Sequence, residues 1–254
     1  MSDIYDIQHF LKNLLDPDDL SDISLNGIQV ENDVDIKKIG FAVDASLTSI
    51  KEAIKSSCTL LIVHHGFFWG KPIAISGLFR NRIKLMLENN LGLIAYHLPL
   101  DAHKDFGNNI QILKKIVNDS FDVIPFGEYH GKNIGWEANL KKTISIDKIA
   151  ANLGISLDDK GINYLGFGKK EIKTIACVSG GGKSCFDEAI DKKIDLFITG
   201  EPSHELFHTA KENNINILFA GHYFTETFGV MALQTPLRTK FNVETLFLNI
   251  PTGL

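Results

Sequence analysis

Apolar residues recur along this chain at two spacings, which predict alternating helices and strands. From Ile4 to Leu15 they recur every three or four positions, which predicts an amphipathic helix, and Asp16-Pro17-Asp18-Asp19 ends it. Beyond residue 36 short apolar runs alternate with helical spacing. The predicted strands are 39–43, 58–63 and 91–96, and the predicted helices are 47–57, 80–90 and 107–117. This alternation is typical of crossover units around a largely parallel sheet.

The second half of the chain repeats the first at a constant offset. Over residues 36–66, eight of 31 positions are identical to the residue 136 positions later, without a gap. The strand ending at His97 resembles the one ending at His222 after a shorter connection. The repeat predicts an α/β fold of two related αβα lobes from an internal duplication. We place the lobes at 1–124 and 125–254, with the glycine-containing stretch 121–140 as the join and the last strand, 244–250, able to return to the first lobe.

Composition narrows the class of protein. The chain has 254 residues with 26 basic and 31 acidic side chains, a net charge of −5, which does not favour nucleic-acid binding by phosphate neutralisation. No apolar run approaches the roughly 20 residues that span a bilayer, so no membrane contact is expected. The acidic N-terminus predicts no signal peptide, and three cysteines without a C-x-x-C pair indicate buried thiols in a reducing, cytoplasmic compartment.

Histidines and carboxylates cluster where predicted strands end. His64 and His65 close one apolar strand, His97 and Asp101 follow a second, and His222 and Glu226 follow a third. Ligands gather beyond the carboxyl ends of the strands in open α/β sheets, so these groups point to one place. Adjacent strand residues face opposite sides, so His64 and His65 suit two ions rather than one.

The chemistry of these side chains indicates a metal centre without selecting the metal. Imidazole and carboxylate ligands together fit two divalent ions of zinc, manganese, iron or nickel. Glu226, four residues after His222, can bridge both ions, and Asp101 adds a second oxygen ligand. In the second lobe, Glu201 stands where the repeat has His65, which makes it a candidate polar wall residue.

The segment Ser179-Gly180-Gly181-Gly182-Lys183-Ser184 ends like a phosphate-binding P-loop. Cys177 stands where the first glycine of that motif should fall, so a triphosphate-binding motor is not expected. Two interpretations remain open, a simpler anion nest of backbone N–H groups and a tight strand-to-helix turn.

Several segments together resemble one known family, the GTP cyclohydrolase 1 type 2 homologues, also called Nif-three-like proteins. The segments that carry this resemblance are 25–30, 63–66, 97–103, 107–109, 179–182 and 220–226. They occur in the family's order from about residue 20 to the C-terminus, without the extra domain that some members insert. The first of them, Leu25-Asn26-Gly27-Ile28-Gln29, departs from the commoner Asn-x-Gly-Leu-Gln form.

The resemblance implies a fold, an assembly and a metal site. It implies two αβα lobes, a toroidal homohexamer and a dinuclear centre facing its interior. The implied metal ligands are His64, His65, Asp101, His222 and Glu226, and His97 also matches a family histidine. We expect His97 to act as the catalytic residue, through proton transfer or by orienting another group.

The combined prediction is metal-assisted hydrolysis of a nucleotide-like small molecule, at a purine ring carbon or a phosphoryl group. The alternative is a metal-loaded ring without turnover that binds or scaffolds a nucleic-acid strand or a protein partner. A metal store or chaperone is a third interpretation.

Overall fold

The first helix of the chain forms as its apolar spacing predicts. The computed structural model describes residues 2–16, 20–117 and 121–254. Helix α1, Ile4–Leu15, begins with a capping box between Asp3 and Asp6 and buries Ile4, Ile7, Leu11 and Leu15. Asp16 ends it in the left-handed conformation, and the predicted stop residues Pro17, Asp18 and Asp19 lie outside the described residues.

The strand and helix alternation predicted for the first half is present. After α1 the elements are β1 (Gly27–Val30), β2 (Lys38–Asp44), α2 (Leu47–Lys55), β3 (Leu60–His65), α3 (Gly77–Glu88), β4 (Gly92–Ala95) and α4 (Leu98–Ala102). Strand β3 is buried along nearly its whole length, as expected for a central strand covered on both faces.

The middle of the chain forms the second set of elements. They are α5 (Asn108–Ile116), β5 (Asp122–Tyr129), β6 (Lys132–Ser145), α6 (Ile146–Leu153), β7 (Asn163–Gly166), β8 (Glu171–Val178), α7 (Phe186–Asp191), β9 (Leu196–Thr199), α8 (Leu206–Asn213) and β10 (Asn216–Phe219). A 3₁₀ turn, Gly182–Cys185, precedes α7. The last elements are α9 (His222–Thr225), α10 (Thr227–Ala232), α11 (Gln234–Phe241) and β11 (Glu244–Phe247).

These elements form two units, each with its own sheet. One unit comprises Met1–Leu100 and Val230–Ile250, and the other comprises Asp101–Gly229 and Pro251–Leu254. The first sheet has the order β1-β4-β3-β2-β11 and the second the order β5-β6-β8-β9-β10-β7. The predicted fold class, an α/β chain of two related lobes, is therefore confirmed.

The limits of the units differ from the segments 1–124 and 125–254 expected from the sequence. Helix α5 belongs to the second unit because its apolar face, including Ile112 and Ile116, packs in that unit's core with Leu140 and Ile175. The last strand, β11, pairs in parallel with β2 and so completes the first sheet.

The stretch 121–140 is an integral part of the second sheet and not a join between lobes. Strands β5 and β6 form an antiparallel hairpin that turns at His130 and Gly131, both with positive φ. Strand β6 then pairs with β8. A hairpin this long lacks the regular alternation that would reveal it in the sequence, because much of β5 is exposed on both faces.

Strand register shows the duplication more directly than the sequence does. In both units three equivalent parallel strands, β2-β3-β4 and β8-β9-β10, end beside an antiparallel edge strand, β1 next to β4 and β7 next to β10. The pairs are equivalent residue by residue: Ile39–Leu60 with Ile175–Leu196, Leu60–Gly92 with Leu196–Asn216, and Gly27–Ala95 with Asn163–Phe219. The offset of 136 therefore extends to the edge strands β1 and β7, where no identity reveals it, whereas β4 and β10 are offset by 124.

The start of β8 is held by Asp195, which is only 7% exposed. Its carboxylate accepts hydrogen bonds from the backbone N–H groups of Lys173 and Thr174, at 2.8 and 3.1 Å, and from Lys169 Nζ at 2.7 Å. Burial by itself would raise the pKa of Asp195, but these donors outweigh it and lower that pKa. Asp195 therefore stabilises the second unit in its ionised form.

We expect Asp195→Ala to lower the free energy of unfolding by about 2–4 kcal/mol at pH 7, because two buried backbone donors lose their acceptor. The stabilisation by ionised Asp195 is fully present above about pH 4, the ordinary range of a carboxyl pKa. It is lost as the pH falls through the lower native pKa, so the two proteins should converge in acid. Urea unfolding at pH 7 and in acid measures this. Asp191→Ala, at an exposed position on the same connection, should change stability by no more than about 0.5 kcal/mol. An equal effect of both substitutions would contradict the assignment.

Among the described residues, no helix has both the length and the apolar character that a membrane span requires. Cys58, Cys177 and Cys185 are buried free thiols.

Candidate metal centre

Three histidines meet at the carboxyl end of the first unit's parallel strands. His64 and His65 end β3, and His97 follows β4, the neighbouring strand. One ring nitrogen of each lies within 4.8 Å of the others, so the three could hold a metal ion. His64 is fully buried, whereas the side chains of His65 and His97 are 19% and 20% exposed. The group is thus partly exposed to solvent.

Each of these imidazoles is oriented through its Nδ1 atom by an oxygen acceptor. His64 Nδ1 lies 3.0 Å from the carbonyl oxygen of Tyr96, and His65 Nδ1 lies 2.9 Å from Asp44 Oδ1. His97 Nδ1 lies 3.0 Å from Asp22 Oδ1. Carbonyl and carboxylate oxygens only accept, so Nδ1 carries the proton and Nε2 keeps the lone pair that binds metals. This is the arrangement that metal-ligating histidines adopt in proteins.

The segment before β1 holds His97 at both backbone and side chain. Asp22, whose side chain is 2% exposed, accepts hydrogen bonds from His97 Nδ1, Leu98 N and Ser24 N. Asn26 Oδ1 accepts from the backbone N–H of His97 at 2.8 Å. Burial would raise the pKa of Asp22, but the hydrogen bond from His97 and the other donors lower it. Asn26 therefore positions His97.

In the second unit, His222 and Glu226 come together within one short stretch. His222 begins α9 and Glu226 caps its end, and His222 Nε2 lies 3.0 Å from Glu226 Oε1. Glu226 is 3% exposed. His222 Nδ1 lies 2.7 Å from Glu201 Oε1, so Glu201 orients this histidine as Asp44 orients His65. The hydrogen bond to Glu226, opposed by burial and supported by Glu201, raises the pKa of His222 to about 9.

Asp101, also in the second unit, is 6% exposed. Its Oδ1 atom accepts hydrogen bonds from Ser179 Oγ at 2.7 Å and from Asn108 Nδ2 at 2.9 Å. Gly180, next to Ser179, lies against the other two candidate ligands of this unit, because a Cβ atom there would overlap Glu226 Oε1 and lie 3.2 Å from His222 Nε2. One loop therefore contacts all three candidate ligands of the second unit.

That loop is a tight strand-to-helix turn, and the anion-nest interpretation does not fit it. The N–H groups of Gly180 and Gly182 donate to the hydroxyls of Thr225 and Thr199, each at 3.0 Å. The N–H of Ser179 donates to Asn109 Oδ1 at 2.6 Å. These amides are used inside the unit, so they do not point toward a phosphate.

Sequence reasoning did not identify the groups that orient the candidate ligands. Asp44 carried a usable signal, because it ends β2 beside His65. Asp22 carried none, because only the fold brings it to His97, and Asn108 was noted only as part of the family-like segment 107–109, without a role. Glu201 was expected as a wall residue, and it is the acceptor for His222.

Comparison with known proteins identifies the family. Curated relatives from Archaeoglobus fulgidus and Pyrococcus horikoshii are 44% and 43% identical over 249 residues, 98% of this chain and 98% of each relative. Both are named "GTP cyclohydrolase 1 type 2 homolog".

Solved structures have the same fold over the whole chain. TTHA1606 from Thermus thermophilus is 34% identical with a TM-score of 0.86, covering 100% of both chains. Reduced HcgD from Methanocaldococcus jannaschii is 26% identical with a TM-score of 0.79, covering 98% of both chains. The family model described as Duf34/NIF3 (NGG1p interacting factor 3) matches residues 2–253. The chain belongs to the Duf34/NIF3 family, which confirms the resemblance seen in its sequence.

Proposed function

We propose that this protein is a metal-dependent hydrolase that acts on a nucleotide-like small molecule. Its proposed ligands for two divalent ions are His64, His65, Asp101, His222 and Glu226. The name of these relatives, which refers to GTP cyclohydrolase, supports a nucleotide-like substrate. The proposed point of attack is a purine ring carbon or a phosphoryl group.

The observation that carries this proposal is the shared orientation of four histidines. His64, His65, His97 and His222 each direct Nδ1 to an oxygen acceptor, three of which are carboxylates. This is the orientation by which ligating histidines direct Nε2 to a metal. The close approach of His222 Nε2 to the buried Glu226 adds an oxygen donor to the same ligand set.

The donor atoms fit a borderline divalent metal. Imidazole nitrogen with carboxylate oxygen suits zinc, manganese, iron or nickel. Such ions, when bound, would make hydroxide available near neutral pH. Asp44, Glu201 and Ser179 would orient the ligands, and His97 would transfer a proton.

We expect His97→Gln to retain two bound ions and to lower kcat by 10²–10⁴-fold, the usual range for losing a general acid or base. Glutamine can still donate toward Asp22 but cannot carry a proton to the substrate. Metal analysis with steady-state kinetics separates the roles. Loss of an ion from His97→Gln would instead identify His97 as a third imidazole ligand beside His64 and His65, which the geometry of the three rings allows.

The proposed function is tested by metal analysis of the purified protein combined with a nucleotide screen. The protein, loaded separately with manganese and zinc, is incubated with purine and pyrimidine nucleotides, and product is measured by chromatography. Two ions per chain and metal-dependent turnover of at least one nucleotide are expected. Absence of product from all of them, together with salt-sensitive DNA binding, would favour a metal-loaded ring that binds nucleic acid. Easily exchanged ions without turnover would favour a metal store.

We also propose a homohexameric ring, on the resemblance alone, and a cytoplasmic location, which the three unpaired buried thiols support. Light scattering of the purified protein tests the assembly. A hexamer should have a mass six times that of the 28.2 kDa chain.

A further inference from the structure

The carboxylate of Asp101 is held more firmly than a ligand carboxylate at a protein surface would be. Hydrogen bonds from Ser179 and from Asn108 reach the same atom, Oδ1. Asp101, Asn108 and Ser179 are all buried, at 6%, 0% and 8% exposure. Two donors on one oxygen fix the orientation of the carboxylate.

The two donors are themselves anchored. Asn108 Oδ1 accepts from the backbone N–H of Gly229 at 2.6 Å, which sets the side-chain amide so that its Nδ2 faces Asp101. The N–H of Ser179 donates to Asn109 Oδ1, and Asn109 Nδ2 donates to the carbonyl of Ile134 at 2.8 Å. Each donor is thus fixed by a second hydrogen bond, so the orientation of Asp101 does not depend on a mobile side chain.

The internal repeat shows that the Ser179 hydroxyl is a feature of the second unit alone. At the offset of 136, Ser179 corresponds to Val43, which is 1% exposed and apolar. At the next position the first unit has the polar residue, Asp44, and the second unit has Gly180. The first unit therefore uses this strand end to orient His65, and the second uses it to orient Asp101.

We propose that Ser179 and Asn108 are positioning residues that hold the carboxylate of Asp101 in the orientation in which it binds a metal ion. This inference rests on the proposed function, since it concerns one of the five ligands proposed there. It assigns to the Ser179-Gly180-Gly181-Gly182 loop the role of holding ligands of the second unit, and not that of binding phosphate.

The test compares Ser179→Ala with the matched control Ser184→Ala, an exposed serine of the same loop. Metal-free protein is titrated with Mn²⁺ by calorimetry and with Co²⁺ by visible absorption, which reports the ligands around the ion. Ser179→Ala should bind one of the two ions 10–100-fold more weakly, the usual cost of removing a group that orients a ligand, and its Co²⁺ spectrum should change. Ser184→Ala should match the wild type, and Ser179→Thr, which keeps the hydroxyl, should restore most of the affinity.

Thermal unfolding of the metal-free forms shows whether each variant folds. If Ser179→Ala fails to fold, Asn108→Ala, which removes the other donor to Asp101 Oδ1, serves as the second variant and should weaken binding of the same ion. Wild-type Mn²⁺ affinity and an unchanged Co²⁺ spectrum in a folded Ser179→Ala protein would overturn this inference while leaving the proposed function intact. Absence of metal binding by the wild type would overturn both.

Discussion

Glu226→Ala is expected to remove bound metal and to abolish turnover. Glu226 is a 3%-exposed carboxylate beside His222 Nε2, and it is one of the five proposed ligands. Alanine removes both carboxylate oxygens and leaves His222 without the hydrogen bond that chiefly raises its pKa. We expect His65→Ala to have the same outcome, because it removes a proposed ligand of the first unit, the imidazole that Asp44 orients.

The measurement is metal content by mass spectrometry together with nucleotide turnover. Glu205→Ala and His208→Ala are the controls, since they remove the same side-chain types at exposed positions of the second unit. Both controls should keep two ions and wild-type activity. Circular dichroism of the metal-free proteins checks that each variant folds. Turnover that persists in metal-free Glu226→Ala or His65→Ala protein would refute the proposed mechanism.

Gly180→Ala is the second substitution from which we expect a large effect. Gly180 has a φ of +58°, a left-handed conformation that costs alanine about 1–2 kcal/mol. Its N–H donates to Thr225, and its carbonyl accepts from the N–H groups of Gly200 and Glu201. These hydrogen bonds hold the backbone in this conformation. An added Cβ would overlap Glu226 Oε1, which must then move together with His222. The variant should lose at least one ion.

Gly181→Ala provides a matched control one residue along the same loop. Gly181 has a φ of −89°, is exposed, and would place a Cβ 3.4 Å from Glu201 Oε2, an ordinary contact. Its metal content and Tm should stay close to those of the wild type, whereas Gly180→Ala should lower both. Two ions at wild-type affinity in Gly180→Ala would show that metal binding does not use Glu226 and His222 in this arrangement.

The sequence was sufficient to predict the repeated core. Central strands such as β3 and β9 are buried on both faces, so they appear as short apolar runs that the intervening helices separate clearly. The constant offset then linked the two units, and the pairing of Ile39 with Leu60 and of Ile175 with Leu196 agrees with it. The histidines and carboxylates were predicted for the same reason, because they stand next to these strand ends.

Only the tertiary structure determined which groups hold those side chains. The partners lie far apart in the chain: Asp22 and His97 are 75 residues apart, and Asp101 and Ser179 are 78 apart. No local spacing encodes such a pair, because a hydrogen bond across the fold depends on how strands and loops pack. The same reason explains β11, whose place beside β2 is set by pairing and not by neighbouring residues. The sequence therefore determined the repeated strands and the candidate ligands, and the fold decided how each ligand is oriented.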